Sequence, residues 1–272
     1  MINLLKRISV ALVGIPILLW VFYTNGIYTY GIPLKVFGSL LAGLISWEMF
    51  RMFKKNNLQP NVLVIPFSVL TFLIISIYGW SFAPLALFPY IVIVFLNRLL
   101  RNQIEGSILS ISISLFILIY AGVLPSSMVR LSKLDNGNYL LILILVLTWI
   151  TDSFAYFIGM TLGKHRGIFP VSPKKSIEGF IAGLVFSIIA VVVIHYTLPN
   201  YFTLTQLLAA GITTGIAGQA GDLMESLIKR DMKVKDSSNL IPGHGGILDR
   251  FDSFLISISI LYVVLMILEK VQ

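Results

Sequence analysis

Asp222 and Glu225 stand three residues apart, as do Asp249 and Asp252, so each pair shares one face if its segment is helical. Between the pairs run Lys229, Arg230, Lys233, Lys235 and Asp236, then the turn Pro242-Gly243-His244-Gly245-Gly246, and Arg250 follows. Carboxylates beside a train of cations suit phosphoryl chemistry. A hard divalent ion such as Mg²⁺ takes one or two carboxylates plus phosphate oxygens, and lysine and arginine neutralise the remaining charge. Upstream, Ser172-Pro173-Lys174-Lys175-Ser176 precedes a long apolar run. Two lysines and two hydroxyls at a helix start suit phosphate oxygens, and equally suit a membrane anchor with a helix cap. Asp152 interrupts another apolar run. It requires a cation, a hydrogen-bond network or a wet cavity, as part of a site or as a structural polar pair. Zinc does not fit: there is no cysteine, and His165, His195 and His244 fall in different loops. Nor do Gly243, Gly245 and Gly246 match the spacing of a soluble nucleotide-binding loop.

The elements that hold these residues are membrane helices. Of 272 residues, 57% are hydrophobic and 12% charged, and the mean hydropathy is +0.92. About 25% charge is usual for a soluble domain, so this chain cannot cover a globular surface of its own size. Residues 8–34 and 106–129 are uncharged, as are 56–97 and 179–221 with His195 neutral. About 20 apolar residues cross the hydrocarbon, so the longer runs hold two spans each. The expected fold is all-α and polytopic, with nine transmembrane helices at 8–24, 33–50, 62–78, 83–97, 106–124, 138–158, 178–196, 204–224 and 252–269. Asn25-Gly26, Pro60-Asn61, Gly79, Pro125 and Pro199-Asn200 provide the breaks, and Pro89 is expected as a tolerated kink. With the N-terminus cytoplasmic and the C-terminus outside, sixteen of the twenty lysines and arginines fall on the inner side. That asymmetry accounts for the net charge of +8 without nucleic acid. The chain reads as one membrane-embedded unit over 1–272, with no diagnostic motif in 1–140 and the chemistry in 141–272. Small residues at Gly38, Ala42, Gly43 and Ser46, and at Gly211, Gly215, Gly218 and Gly221, are spaced for close helix packing. A transporter would need polar residues continuing to the outer face, and here they gather at the cytoplasmic end.

Ser226, Lys229, Arg230, Lys235, Asp236, Pro242, Gly243, His244, Gly245, Gly246, Asp249, Arg250 and Asp252 together resemble the signature of bacterial phosphatidate cytidylyltransferases, also called CDP-diglyceride synthases. Thr151-Asp152, Ser172 to Ser176 with Glu178-Gly179, and Gly218-Gln219 with Gly221-Asp222 fit the same family. The resemblance implies synthesis of CDP-diacylglycerol and pyrophosphate from CTP and phosphatidate in the bacterial inner membrane. It also implies Mg²⁺, a second cation such as K⁺, and a homodimer among membrane lipids. On this reading Asp222, Asp249, Glu225 and Asp252 are the metal candidates. Lys175, Lys229, Arg230 and His244 join Asp222 and Asp249 in catalysis. Asp152, Ser172, Lys174, Lys175, Ser176, Lys235, Asp236 and Arg250 are expected to bind substrate. His244 either orients pyrophosphate or steadies its own glycine-rich loop. The boldest expectation is that Asp222 and Asp249 hold one divalent cation together.

Overall fold

The computed structural model describes residues 2–24 and 31–271, with side chains over 9–24 and 31–269. The Asn25-Gly26 break and the side chains of Lys6, Arg7 and Lys270 lie outside the described residues. Among the described residues the apolar runs fold mainly as helices: α1 (Ile2–Thr24), α2 (Ile32–Lys55), α3 (Val64–Tyr78), α4 (Pro84–Leu100), α5 (Ser107–Leu118), α6 (Leu124–Leu131), α7 (Gly137–Thr161), α8 (Ile177–Thr197), α9 (Leu204–Thr213), α10 (Gln219–Asp231) and α11 (Leu248–Val271). Among the described residues, six stretches are long and apolar enough to cross a membrane: Ile32–Lys55, Trp80–Leu100, Ser107–Leu131, Gly137–Thr161, Ile177–Thr197 and Leu248–Glu269. Ser9–Thr24 and Val64–Tyr78 are shorter apolar helices. The chain is an all-α polytopic membrane protein. Ile181, Val185, Ile189 and Val193 on α8 are exposed at a four-residue spacing, a stripe suited to hydrocarbon.

Helix ends depart from expectation for local reasons. Pro125 does not break its helix. A π turn at Ile119–Val123 comes first and widens the helix at the carbonyls that the proline ring would otherwise strike. A second π turn, Thr214–Gly218, joins α9 to α10. From there α10 continues to Asp231 instead of stopping at 224, with Lys229 and Arg230 in its last turn favoured by the helix dipole. Pro89 lies inside α4 as a tolerated residue, and Gly79 ends α3.

The chain divides into two compact units. The first comprises Met1–Arg130 with Asp236–Asp249. Its core includes Phe22, Leu34, Ile45, Met49, Phe72, Ile75 and Tyr90. A Cβ on Gly38 would enter the Phe72 ring, so the small residue there lets α2 and α3 close up. The second unit comprises Leu131–Lys235 with Arg250–Gln272, and its core includes Leu140, Ile144, Leu147, Ala210, Phe254 and Ile258. There Gly211 packs against Ile188 and Val191, and Gly215 against Leu184 and Ser187.

Candidate active site

In the second unit, α10 begins where the π turn ends, and Gln219 secures that junction. Its amide donates to the Gly215 carbonyl at 2.6 Å and the Phe180 carbonyl at 2.9 Å, tying α10 to α8. Past the junction α10 turns polar. Asp222 and Glu225 share a face, and the fully buried Glu225 forms an ion pair with Lys229 one turn on, at 2.5 Å. Gly221 lies so close to α11 that a Cβ there would stand 3.0 Å from the Asp252 carbonyl. This approach brings the buried Asp252 alongside, and one carboxylate oxygen each from Asp222, Glu225 and Asp252 lie within 4.8 Å of one another. Around Mg²⁺ adjacent oxygens stand about 3 Å apart and opposite ones about 4.2 Å, from bonds of about 2.1 Å, so small shifts would let this donor set close on the ion.

The cations approach from α8. Ser176 is its N-cap and accepts from the Gly179 N–H at 3.1 Å, so the expected cap is present. The preceding loop folds back on itself, with Gly167 N–H donating to Pro173 O at 3.2 Å and Ile177 N–H to His165 O at 3.1 Å. Lys175 N–H turns onto Ser172 O at 3.0 Å. Arg166 closes the end of α7 by donating to the carbonyls of Gly159 (2.8 Å), Gly163 (3.1 Å) and Met160 (3.2 Å). So held, the loop delivers the Lys175 ammonium to the Asp222 carboxylate as an ion pair. Asp152 on α7 stands within the fields of Asp222, Lys175 and Arg250. A cavity of about 570 Å³ opens here, lined by Asp152, Lys174, Lys175 and Asp222 together with Tyr156, Phe169 and Phe180. Asp222, Glu225 and Asp252 thus gather three carboxylates beside the ammonium groups of Lys175 and Lys229. Charged groups beside aromatic and apolar walls suit an amphiphile.

The remaining expected residues make contacts of their own. Arg230 donates to the carbonyls of Val234 (3.1 Å) and Val171 (3.4 Å), and Lys235 and Arg250 are exposed. Asp236, His244 and Asp249 belong to the first unit. There Asp249 Oδ2 accepts from Gly246 N–H (2.7 Å), Ser237 N–H (3.0 Å) and Ser237 Oγ (3.1 Å). The His244 N–H donates to Ile241 O in a tight turn, and its Nδ1 is buried without a hydrogen bond. Gly245 has φ +83°. A side chain there would be strained and would meet Asp249 Oδ2. The sequence reading missed Glu48, whose buried carboxylate engages the same loop, and the positioning of the cavity wall by Arg166 and Gln219. Only Glu48 left a signal, a lone acid in an apolar helix.

The family model described as the cytidylyltransferase family matches residues 5–268. A phosphatidate cytidylyltransferase of Bacillus subtilis (strain 168) is 32% identical over 241 residues, which cover 86% of this chain and 89% of that protein. A phosphatidate cytidylyltransferase of Staphylococcus haemolyticus is 45% identical over 135 residues, 49% of this chain and 51% of that protein. One from Staphylococcus aureus (strain COL) is 42% identical over 132 residues, covering 48% and 50%. The two staphylococcal matches thus span about half of each protein.

Proposed function

The chain belongs to the cytidylyltransferase family, and from that premise we propose that it transfers the cytidylyl group of CTP to phosphatidate, yielding CDP-diacylglycerol and pyrophosphate. One observation carries the reading: Asp222, Glu225 and Asp252 converge beside Lys175 and Lys229, next to a cavity with charged and apolar walls. The phosphate of phosphatidate is already an anionic nucleophile, so no strong base is needed. One of its oxygens bonds to the α-phosphorus of CTP, the bond from that phosphorus to the β-phosphate oxygen breaks, and pyrophosphate departs with the electron pair. The protein's task is to hold two anions in line against their repulsion.

In this reading Asp222, Glu225 and Asp252 hold Mg²⁺, which supplies charge neutralisation on the phosphate oxygens. The expectation from sequence pairs Asp222 with Asp249. The hydrogen bonds that Asp249 accepts inside its loop favour Asp252 in its place, leaving Asp249 to hold the loop. Lys174 and Lys175 contact phosphate at the cavity, whose wall includes Asp152 and Ser176, and Ser172 binds substrate from the preceding loop. Lys229, Arg230, Lys235 and Arg250 offset charge on the substrates, Asp236 binds substrate, and His244 orients pyrophosphate or steadies its own glycine-rich loop. The aromatic wall takes the start of the lipid tails.

Nine crossings complete the proposal: the six long apolar helices, the two shorter ones, and α9 with α10. The N-terminus is then cytoplasmic, the C-terminus outside, and the site faces the cytoplasm. A homodimer and a second cation such as K⁺ belong to the same reading. The test is pyrophosphate release by the purified full-length protein in detergent, given CTP and phosphatidate and titrated with Mg²⁺. Release that requires both substrates and the metal is expected. Release without phosphatidate, or none at any Mg²⁺ concentration by folded protein, overturns it.

A further inference from the structure

Glu48 is wholly buried in α2, and the reaction as described makes no use of it. Its carboxylate accepts four hydrogen bonds, all from residues almost two hundred positions away. Oε1 takes Ser238 Oγ at 2.6 Å and Ile247 N–H at 2.9 Å. Oε2 takes Leu248 N–H at 2.8 Å and Ser237 Oγ at 3.1 Å. The Ile247 and Leu248 N–H groups are free donors at the start of α11, where a negative charge is favoured. Ser237 Oγ lies 3.1 Å from both Glu48 and Asp249, and its single hydrogen serves one at a time. The loop wraps tightly on these acids, since a Cβ on Gly246 would fall 2.5 Å from Glu48 Oε1.

We propose that Glu48 is a positioning residue for the transfer reaction, a clasp that sets the conformation of the loop 236–247 and so the placing of Asp236 and His244. The proposal rests on the cytidylyl-transfer reading, in which Asp236 and His244 of that loop serve the reaction. A carboxylate is required because each oxygen faces a backbone N–H, which cannot reverse its role. Glutamine would turn its own NH₂ toward Ile247 or Leu248, donor against donor, whereas the serine hydroxyls can rotate. Aspartate keeps two acceptors but withdraws them by one methylene.

The chain has no cysteine, so Asn239→Cys on the exposed part of the loop accepts a single nitroxide. In this labelled full-length protein, spin-label mobility, kcat, the two KM values and the unfolding midpoint are measured for wild type, Glu48→Gln and Glu48→Asp. Glu48→Gln is expected to mobilise the label and lower kcat about tenfold or more, with both KM values within about twofold, because small misplacements near reacting groups are costly. Glu48→Asp should recover part of both effects. If Glu48→Gln does not fold, Ser238→Ala carries the test by loosening the label and lowering kcat. The clasp is overturned if Glu48→Gln folds and keeps wild-type kcat, if kcat falls while the label spectrum is unchanged, or, where Glu48→Gln does not fold, if Ser238→Ala leaves label mobility and kcat as in wild type. Should wild type release no pyrophosphate from the two substrates, the transfer reading fails instead, while label mobility still decides whether Glu48 holds the loop.

Discussion

Asp222 takes part in two interactions, an ion pair with Lys175 and a carboxylate cluster with Glu225 and Asp252. Replacing it with asparagine keeps its shape and removes its charge. Asp222→Asn and Asp252→Asn are each expected to lower turnover about 100-fold and to raise the Mg²⁺ needed for half-maximal activity, as for loss of a preorganised charge or ligand. Asp249→Asn should lower turnover with unchanged Mg²⁺ demand, and an increased demand would return Asp249 to the ligand set. The lysines separate in the same way. Lys175→Ala should raise the KM for CTP or cut kcat about tenfold or more, whereas exposed Lys54, which lies over the Phe50 ring, should tolerate alanine with turnover nearly intact. Equal kinetics in the two variants would remove Lys175 from the site. Asp152, Asp222, Asp252 and Lys175 were legible in the sequence because charge beside long apolar runs demands a partner. Glu48 left the signal of a lone acid in an apolar helix, but its partners at 237–248 were not legible, because no local spacing connects them.

At the scale of elements, the apolar runs disclosed the helices, and ion pairs, caps and π turns moved their ends. Pro125 reads as a break until the preceding π turn is known, and nothing in Ile119–Val123 announces that turn. The start of α11 was equally hidden, since the acid that caps it comes from α2. Two loop glycines permit a controlled comparison. Both Gly167 (φ +77°) and Gly245 (φ +83°) have left-handed backbone, but a Cβ at Gly167 meets nothing within 4 Å and one at Gly245 meets Asp249. Gly167→Ala should therefore cost only the backbone term, about 1–2 kcal/mol. Gly245→Ala should cost more and also depress turnover, as read by unfolding midpoints and pyrophosphate release in detergent. Equal midpoints would mean that the loop can yield at Asp249.

For the whole molecule, composition and the distribution of lysine and arginine suffice for a membrane protein with helices throughout. They do not disclose the two compact units. The first is discontinuous, because Asp236–Asp249 rejoins a body otherwise built from the N-terminal helices. Residues 1–140 appeared empty of chemistry for that reason: their contribution is the receiving half of a loop encoded far downstream. Topology can be checked directly. A C-terminal tag, or single cysteines introduced into this cysteine-free chain, should place the C-terminus outside and the 162–176 and 232–247 loops in the cytoplasm. A cytoplasmic C-terminus would overturn the nine-crossing arrangement.

The clasp between Glu48 and Ser237–Leu248 also imposes an order on biogenesis. The ribosome adds roughly 5–20 residues per second, so about 190 residues of synthesis separate the acid from its donors by some 10–40 seconds. Throughout that interval the nascent α2 carries a carboxylate whose eventual hydrogen-bond donors do not yet exist. The first unit therefore cannot complete its contacts until nearly the whole of this sequence has been made. The contact between Glu48 and the 237–248 segment is thus among the last that the first unit can form.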